Sequence, residues 1–114
     1  MKLSDYQKLS KRTMPPHGNF VEHRDTVANY SMGLCGESGE LVELIKKQQF
    51  HGHNVTADEI KKELGDVLHY LAGLATLYDI DLEDVATANI EKLRTRYPNG
   101  FTRQDSIARK DVQG

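Results

Sequence analysis

Four carboxylates repeat at one spacing. Leu34-x-x-Glu37-x-x-Glu40-Leu41 is followed by Ile60-x-x-Glu63-x-x-Asp66-Val67, so that Glu37 to Glu63 and Glu40 to Asp66 are both steps of 26 residues. An α-helix turns about 100° per residue. The outer apolar residues therefore mark a buried stripe, the first acid lies about 60° to one side of it, and the second about 60° further round. Packing two such helices antiparallel through their stripes brings the four acids together, where their repulsion needs compensation. A bound cation supplies it. Four carboxylates with neither a cysteine nor a suitably placed imidazole make a hard oxygen site, suited to magnesium, with manganese as a substitute, rather than to zinc or copper.

The bland alternative is a solvated face in which Glu37, Glu40, Glu43, Glu59, Glu63 and Asp66 pair with Lys46, Lys47, Lys61 and Lys62. Two acid pairs at matched phase favour the metal site. The stretch GLCGESGELVELIKK adds Gly33, Gly36 and Gly39 along the same acidic edge, each about 1 kcal/mol worse than alanine in a helix. Missing side chains there leave room for a neighbouring helix or for a ligand, and the sequence leaves both readings open.

The elements that must hold these acids follow from periodicity and punctuation. Residues 1–13 predict a short helix begun by Ser4, with Leu3, Tyr6 and Leu9 at three-residue spacing. Pro15 and Pro16 break it into a loop. The first long helix runs from about Asp25 to Phe50, on Tyr30, Leu34, Leu41, Leu44 and Ile45. Gly52 stops it, and Thr56-x-x-Glu59 reads as a capping box opening the second long helix. Ile60, Leu64, Val67, Leu68, Leu71, Leu74, Ala75 and Tyr78 give that helix an apolar stripe wide enough to need partners on both sides. A last helix begins at Asp81 or Leu82 and stops at Pro98-Asn99-Gly100. The polar tail beyond, 102–114, reads as a mobile arm or a strap over a neighbouring subunit. With no useful strand pattern, the fold class is all-α, a bundle of about four helices around an antiparallel central hairpin.

At 114 residues the chain is expected to be one domain. Its net charge of −2 gives no general reason to bind nucleic acid or an anionic membrane, and Arg94, Arg96, Arg103, Arg109 and Lys110 are too scattered for a nucleic-acid surface. Cys35 has no partner for an internal disulfide and is expected to pack as a small helical residue. No leader and no apolar run near 18 residues are evident, so a cytoplasmic location is expected.

Gly36-Glu37-Ser38-Gly39-Glu40, then Glu63-Leu64-Gly65-Asp66 with Tyr70, then Asn89-x-x-Lys92-Leu93-x-x-Arg96-Tyr97-Pro98-x-Gly100-Phe101, resembles the MazG-like branch of the all-α nucleoside triphosphate pyrophosphohydrolases over about residues 25–101. The resemblance implies magnesium-dependent cleavage of nucleoside or deoxynucleoside triphosphates between the α and β phosphates, giving a monophosphate and pyrophosphate. It implies metal binding by Glu37, Glu40, Glu63 and Asp66, with Glu37 or Glu40 doubling as the catalytic base. Asn89, Lys92 and Arg96, three and four residues apart on the last helix, would meet the phosphates. Tyr70, one turn beyond Asp66, would contact sugar or base, or else be a core tyrosine; Tyr97 reads as packing. The tryptophans frequent in pyrimidine-specific relatives are missing here, which leaves base preference open. A lone hairpin exposes much apolar surface, so a homodimer or homotetramer is expected.

Two rivals remain. Asp66-x-x-His69 superficially matches the Glu-x-x-His of di-iron bundles, but the first helix carries Glu43 at the matching position, and His69 falls opposite the apolar stripe, where a surface or interface role is expected. A non-catalytic helical interaction module, with an acidic edge that binds a basic partner, is the main alternative to the enzyme.

Overall fold

In the computed structural model, residues 1–112 are described, and among them no β-strand occurs. Helix α1 spans Leu3–Ser10 and ends in a 3-10 turn, Lys11–Thr13; α2 spans Phe20–Phe50, α3 Ala57–Leu77, α4 Leu82–Arg96 and α5 Arg103–Ala108, with a final 3-10 turn over Lys110–Val112. The expected all-α bundle around an antiparallel α2–α3 hairpin is what forms, and α2 against α3 is its dominant packing. None of the helices is long and apolar enough to cross a membrane.

Helix α2 begins five residues before Asp25. Asn19, with extended backbone, accepts from the Glu22 amide at 2.9 Å, and its own amide group hydrogen-bonds back to the Glu22 carboxylate. This Asn-x-x-Glu cap satisfies amides that the apolar period could not reveal, because the first turn buries little: Phe20 is 80% exposed. The Thr56 capping box forms as expected, with Glu59 N–H to Thr56 Oγ1 at 3.2 Å and Thr56 N–H to Glu59 Oε2 at 3.1 Å. Ser4 does not cap α1. It lies within the first turn, where its hydroxyl donates to Glu83 of α4 at 2.9 Å.

Gln7 ties α1 to the α3–α4 link. Its Nε2 donates to Thr76 Oγ1 and the Ile80 carbonyl, and its Oε1 accepts from the Leu82 amide. That covers a side of α3 which a bare hairpin would leave open, and it corrects the placement of His69. This imidazole is half-buried, with Nδ1 2.6 Å from Ser10 Oγ and ring contacts to Tyr30 and Tyr70.

Two aromatic knobs set the register of the hairpin. A Cβ on Gly33 of α2 would lie 2.3 Å from Cε1 of Tyr70, and a Cβ on Gly73 of α3 would lie 2.1 Å from Cε2 of Tyr30. Only glycine lets each ring sit on the opposing backbone. The two tyrosines also meet edge to face, with centroids 5.2 Å apart. In both pairs the residue numbers add to 103 (33 with 70, 30 with 73), as they do for Glu37 with Asp66 and Glu40 with Glu63. The contacts that align the helices thus place the acids opposite one another.

The apolar core is thin. Tyr30, Ala72, Ala75, Leu77 and Leu82 are its buried members, whereas Leu64, Leu71, Val85, Ile90 and Leu93 on α3 and α4 remain exposed. The radius of gyration is 17.4 Å, against about 13 Å for a compact chain of this length. An open apolar groove runs between α3 and α4, with Leu68, Leu71, Val85 and Ile90 among its walls.

The tail, expected as a mobile arm or a strap over a neighbouring subunit, packs on its own chain. Thr102 caps α5 by accepting from the Asp105 amide at 3.0 Å, Arg109 turns the chain in a left-handed conformation (φ 50°), and the final turn returns to α4. Its anchor is Asp111, which accepts from Arg96 Nε at 2.8 Å and Nη2 at 2.9 Å. The segment through residue 112 straps its own chain; residues 113 and 114 lie outside the described residues.

Candidate metal centre

Glu37 and Glu63 are half-buried on the facing edges of α2 and α3, and Asp66 stands exposed one turn beyond Glu63. One carboxylate oxygen from each of the three lies within 4.8 Å of the other two. A magnesium ion holds oxygens at about 2.1 Å, so opposite ligands around it are about 4.2 Å apart, a spacing within reach of small side-chain adjustments. Oε2 of Glu37 and Oε2 of Glu63 are both buried and have no hydrogen-bond partner. A buried acceptor left unpaired is costly, and here the two belong to neighbouring members of one carboxylate cluster. The donor set and its unmet valence fit a hard divalent cation.

Burial pushes the Glu37 carboxyl above its ordinary value. Hydrogen bonding to Glu40 adds to the effect, as do the charges of Glu40, Asp66 and Glu63. Glu40 is exposed beside Glu37, at the rim of the oxygen cluster rather than within it. At the far edge Glu43 is engaged by Lys46 at 3.0 Å, which lowers its carboxyl.

The glycines divide into two kinds. Gly33 is filled by Tyr70, whereas a Cβ on Gly36, Gly39 or Gly65 would meet nothing within 4 Å. Close packing explains the first, and open space lies beside the acids at the other three. Cys35, expected to pack, is exposed on this helix.

The other candidate residues are dispersed. Tyr70 lies in the α2–α3 seam against Gly33, Tyr30 and His69. Asn89 is on the wall of the apolar groove, and Lys92 is exposed. Arg96 is engaged by Asp111. Among the described residues, no hydrogen bond or ion pair joins Asn89, Lys92 or Arg96 to the four acids. Tyr97 packs against Phe101, centroids 5.4 Å apart, in keeping with its expected packing role. Asp111 was not foreseeable: it stands 15 residues from Arg96 with no periodic pattern between them.

Comparison with known proteins decides the family. The model of the MazG nucleotide pyrophosphohydrolase domain matches residues 25–101. The chain belongs to the MazG family. Among similar proteins, Gene 37 protein of Mycobacterium phage L5 is 38% identical over 74 residues, covering 61% of this chain and 65% of that protein. The dCTP pyrophosphatase 1 of Bos taurus is 29% identical and that of Mus musculus 30% identical, each over 107 residues, covering 84% of this chain and 63% of the relative. This MazG chain therefore spans somewhat under two thirds of the length of those relatives. No solved structure matches it at a comparable level of similarity.

Proposed function

We propose that this MazG chain is a magnesium-dependent nucleotide pyrophosphohydrolase that cleaves nucleoside or deoxynucleoside triphosphates to the monophosphate and pyrophosphate. The observation that carries this reading is the pair of buried, unpartnered oxygens on Glu37 and Glu63, gathered with Asp66. The names of the mammalian relatives, dCTP pyrophosphatase 1, support a deoxynucleotide among its substrates.

Glu37, Glu63 and Asp66 would hold the metal, with Glu40 joining as Glu37 shifts. Bound magnesium supplies charge neutralisation at the phosphates and a more acidic water. Glu40 is the acid we assign as base: it is exposed to arriving water and stands beside Glu37, one turn along the same helix. The open edge at Gly36, Gly39 and Gly65 gives the triphosphate a path to the acids without side-chain obstruction.

Asn89, Lys92 and Arg96 are assigned to the phosphates and Tyr70 to the rim of the sugar or base pocket. Because the α4 residues do not meet the acids within the chain, we assign the protein to a homodimer or homotetramer in which a second copy covers the α3–α4 groove. The exposed leucines, valine and isoleucine of that groove are the apolar surface such an interface needs. The whole would work as one cytoplasmic domain. The test is turnover of a panel of NTPs and dNTPs with magnesium. Activity in the wild type, lost in Glu63→Gln with the helical circular dichroism intact, supports the reading; no turnover of any member by a folded protein overturns it.

A further inference from the structure

The Arg96–Asp111 pair has an unusual geometry for a surface tie. The side chain of Asp111 is only 1% exposed and that of Arg96 17% exposed. Asp111 takes the side edge of the guanidinium, accepting from Nε at 2.8 Å and Nη2 at 2.9 Å. Arg109 approaches the same carboxylate, its Nε 3.5 Å from Oδ1. The Tyr97 ring lies along the guanidinium, with its centroid 5.8 Å from Cζ. Asp111 takes two of the five N–H groups on Arg96, through Nε and Nη2, and leaves both hydrogens of Nη1. Two arginines and one aspartate leave the cluster with a net positive charge, so Asp111 orients Arg96 without cancelling the local attraction for an anion.

We infer that Asp111 is a positioning residue of the nucleotide site: from the final turn it fixes the Arg96 guanidinium so that its outer edge meets a substrate phosphate. This rests on the assignment of Arg96 to the phosphates in the proposed function. The physical gain is preorganisation. A free arginine loses rotamer freedom when it clamps a phosphate, whereas one already held by a bidentate carboxylate has lost it on folding. The left-handed turn at Arg109, φ 50° and ψ 53°, is the local feature that brings Asp111 back to α4.

The test uses the full chain and measures KM and kcat for a hydrolysed triphosphate, with thermal melts on the same samples. Asp111→Asn is expected to raise KM about tenfold, as expected for loss of a charge-assisted bidentate contact, with kcat changed less than about twofold. Asp111→Glu should recover much of the loss, and Arg109→Ala should raise KM in the same direction by a smaller factor. Arg96→Ala should raise KM, and Asp111→Asn should then add nothing further, since the two act as one unit. An unchanged KM in both Asp111→Asn and Arg109→Ala, with only the melting temperature lowered, overturns the inference while leaving the enzyme reading intact. A lowered KM overturns it too, since Asp111 would then compete with substrate. An unchanged KM in Arg96→Ala removes Arg96 from the site, and absence of wild-type turnover defeats the proposed function itself.

Discussion

Tyr70 of α3 lies directly on the backbone of Gly33 in α2, so close that a methyl group there would fall 2.3 Å from Cε1. The reciprocal contact, Tyr30 on Gly73, is as tight. Gly33→Ala and Gly73→Ala should therefore destabilise the protein. The helix-propensity gain of about 1 kcal/mol is outweighed by a rigid overlap costing about 1–3 kcal/mol and by loss of the aromatic contact. A drop in melting temperature of roughly 4–8 °C is expected for each. Unchanged or raised melting temperatures would show that the hairpin register does not depend on these contacts.

Gly36→Ala, Gly39→Ala and Gly65→Ala should behave in the opposite way. Nothing lies within 4 Å of the added carbon, so each should stabilise the metal-free protein by about 0.5–1 kcal/mol. If the open edge admits the nucleotide, the same variants should lose turnover or gain KM. Steady-state kinetics beside thermal melts separate the two effects.

The oxygen cluster should respond to metal as a stability switch. Glu37 is raised above its ordinary value of 4.5, so the native state holds this proton more tightly than the unfolded chain does. Its contribution is fully present below 4.5 and is lost as pH rises through the native value, which leaves the metal-free protein weakened at neutral pH. Adding magnesium at pH 7 should raise the melting temperature of the wild type. Glu37→Gln and Glu63→Gln should raise the metal-free melting temperature and blunt the response to magnesium. Equal magnesium responses in all three proteins would count against the site.

Asp111 has the reverse sign. Its carboxyl is held well below its ordinary value of 3.8, first by the hydrogen bonds from Arg96 and then, in the same direction, by Arg109. The strap therefore contributes stability that is fully present above 3.8 and is lost as pH falls through the lower native value. Asp111→Asn should melt below the wild type at pH 7 and pH 5, and the gap should narrow progressively as pH falls below 3.8. A gap independent of pH would mean that the ion pair is not what holds the strap.

The sequence made the helices and the acid cluster legible for the same reason: both are written in local spacing. Thr56 and Glu59 announce a cap three residues apart, and the acids repeat in phase relative to their apolar stripes, Glu37 with Glu63 and Glu40 with Asp66. What could not be read depends on contacts made at a distance. The roles of Gly33 and Gly36 look identical in the chain, and only the position of Tyr70 tells a packing glycine from an open one. The angle of His69 on α3 predicts a surface or interface role, because nothing in its neighbourhood says that Ser10 of α1 will contact it. The tail's attachment to its own chain is not legible in the sequence because Asp111 is paired with Arg96, 15 residues away in α4.

The most direct measurement is product identification after incubating the purified protein with a dNTP and magnesium, by anion-exchange chromatography or phosphorus NMR. A site that holds the metal through Glu37, Glu63 and Asp66 and attacks the α–β linkage should give deoxynucleoside monophosphate and pyrophosphate in equal amounts, with no diphosphate intermediate. Diphosphate with orthophosphate, or no product across the whole NTP and dNTP panel from a folded, magnesium-loaded protein, would contradict it.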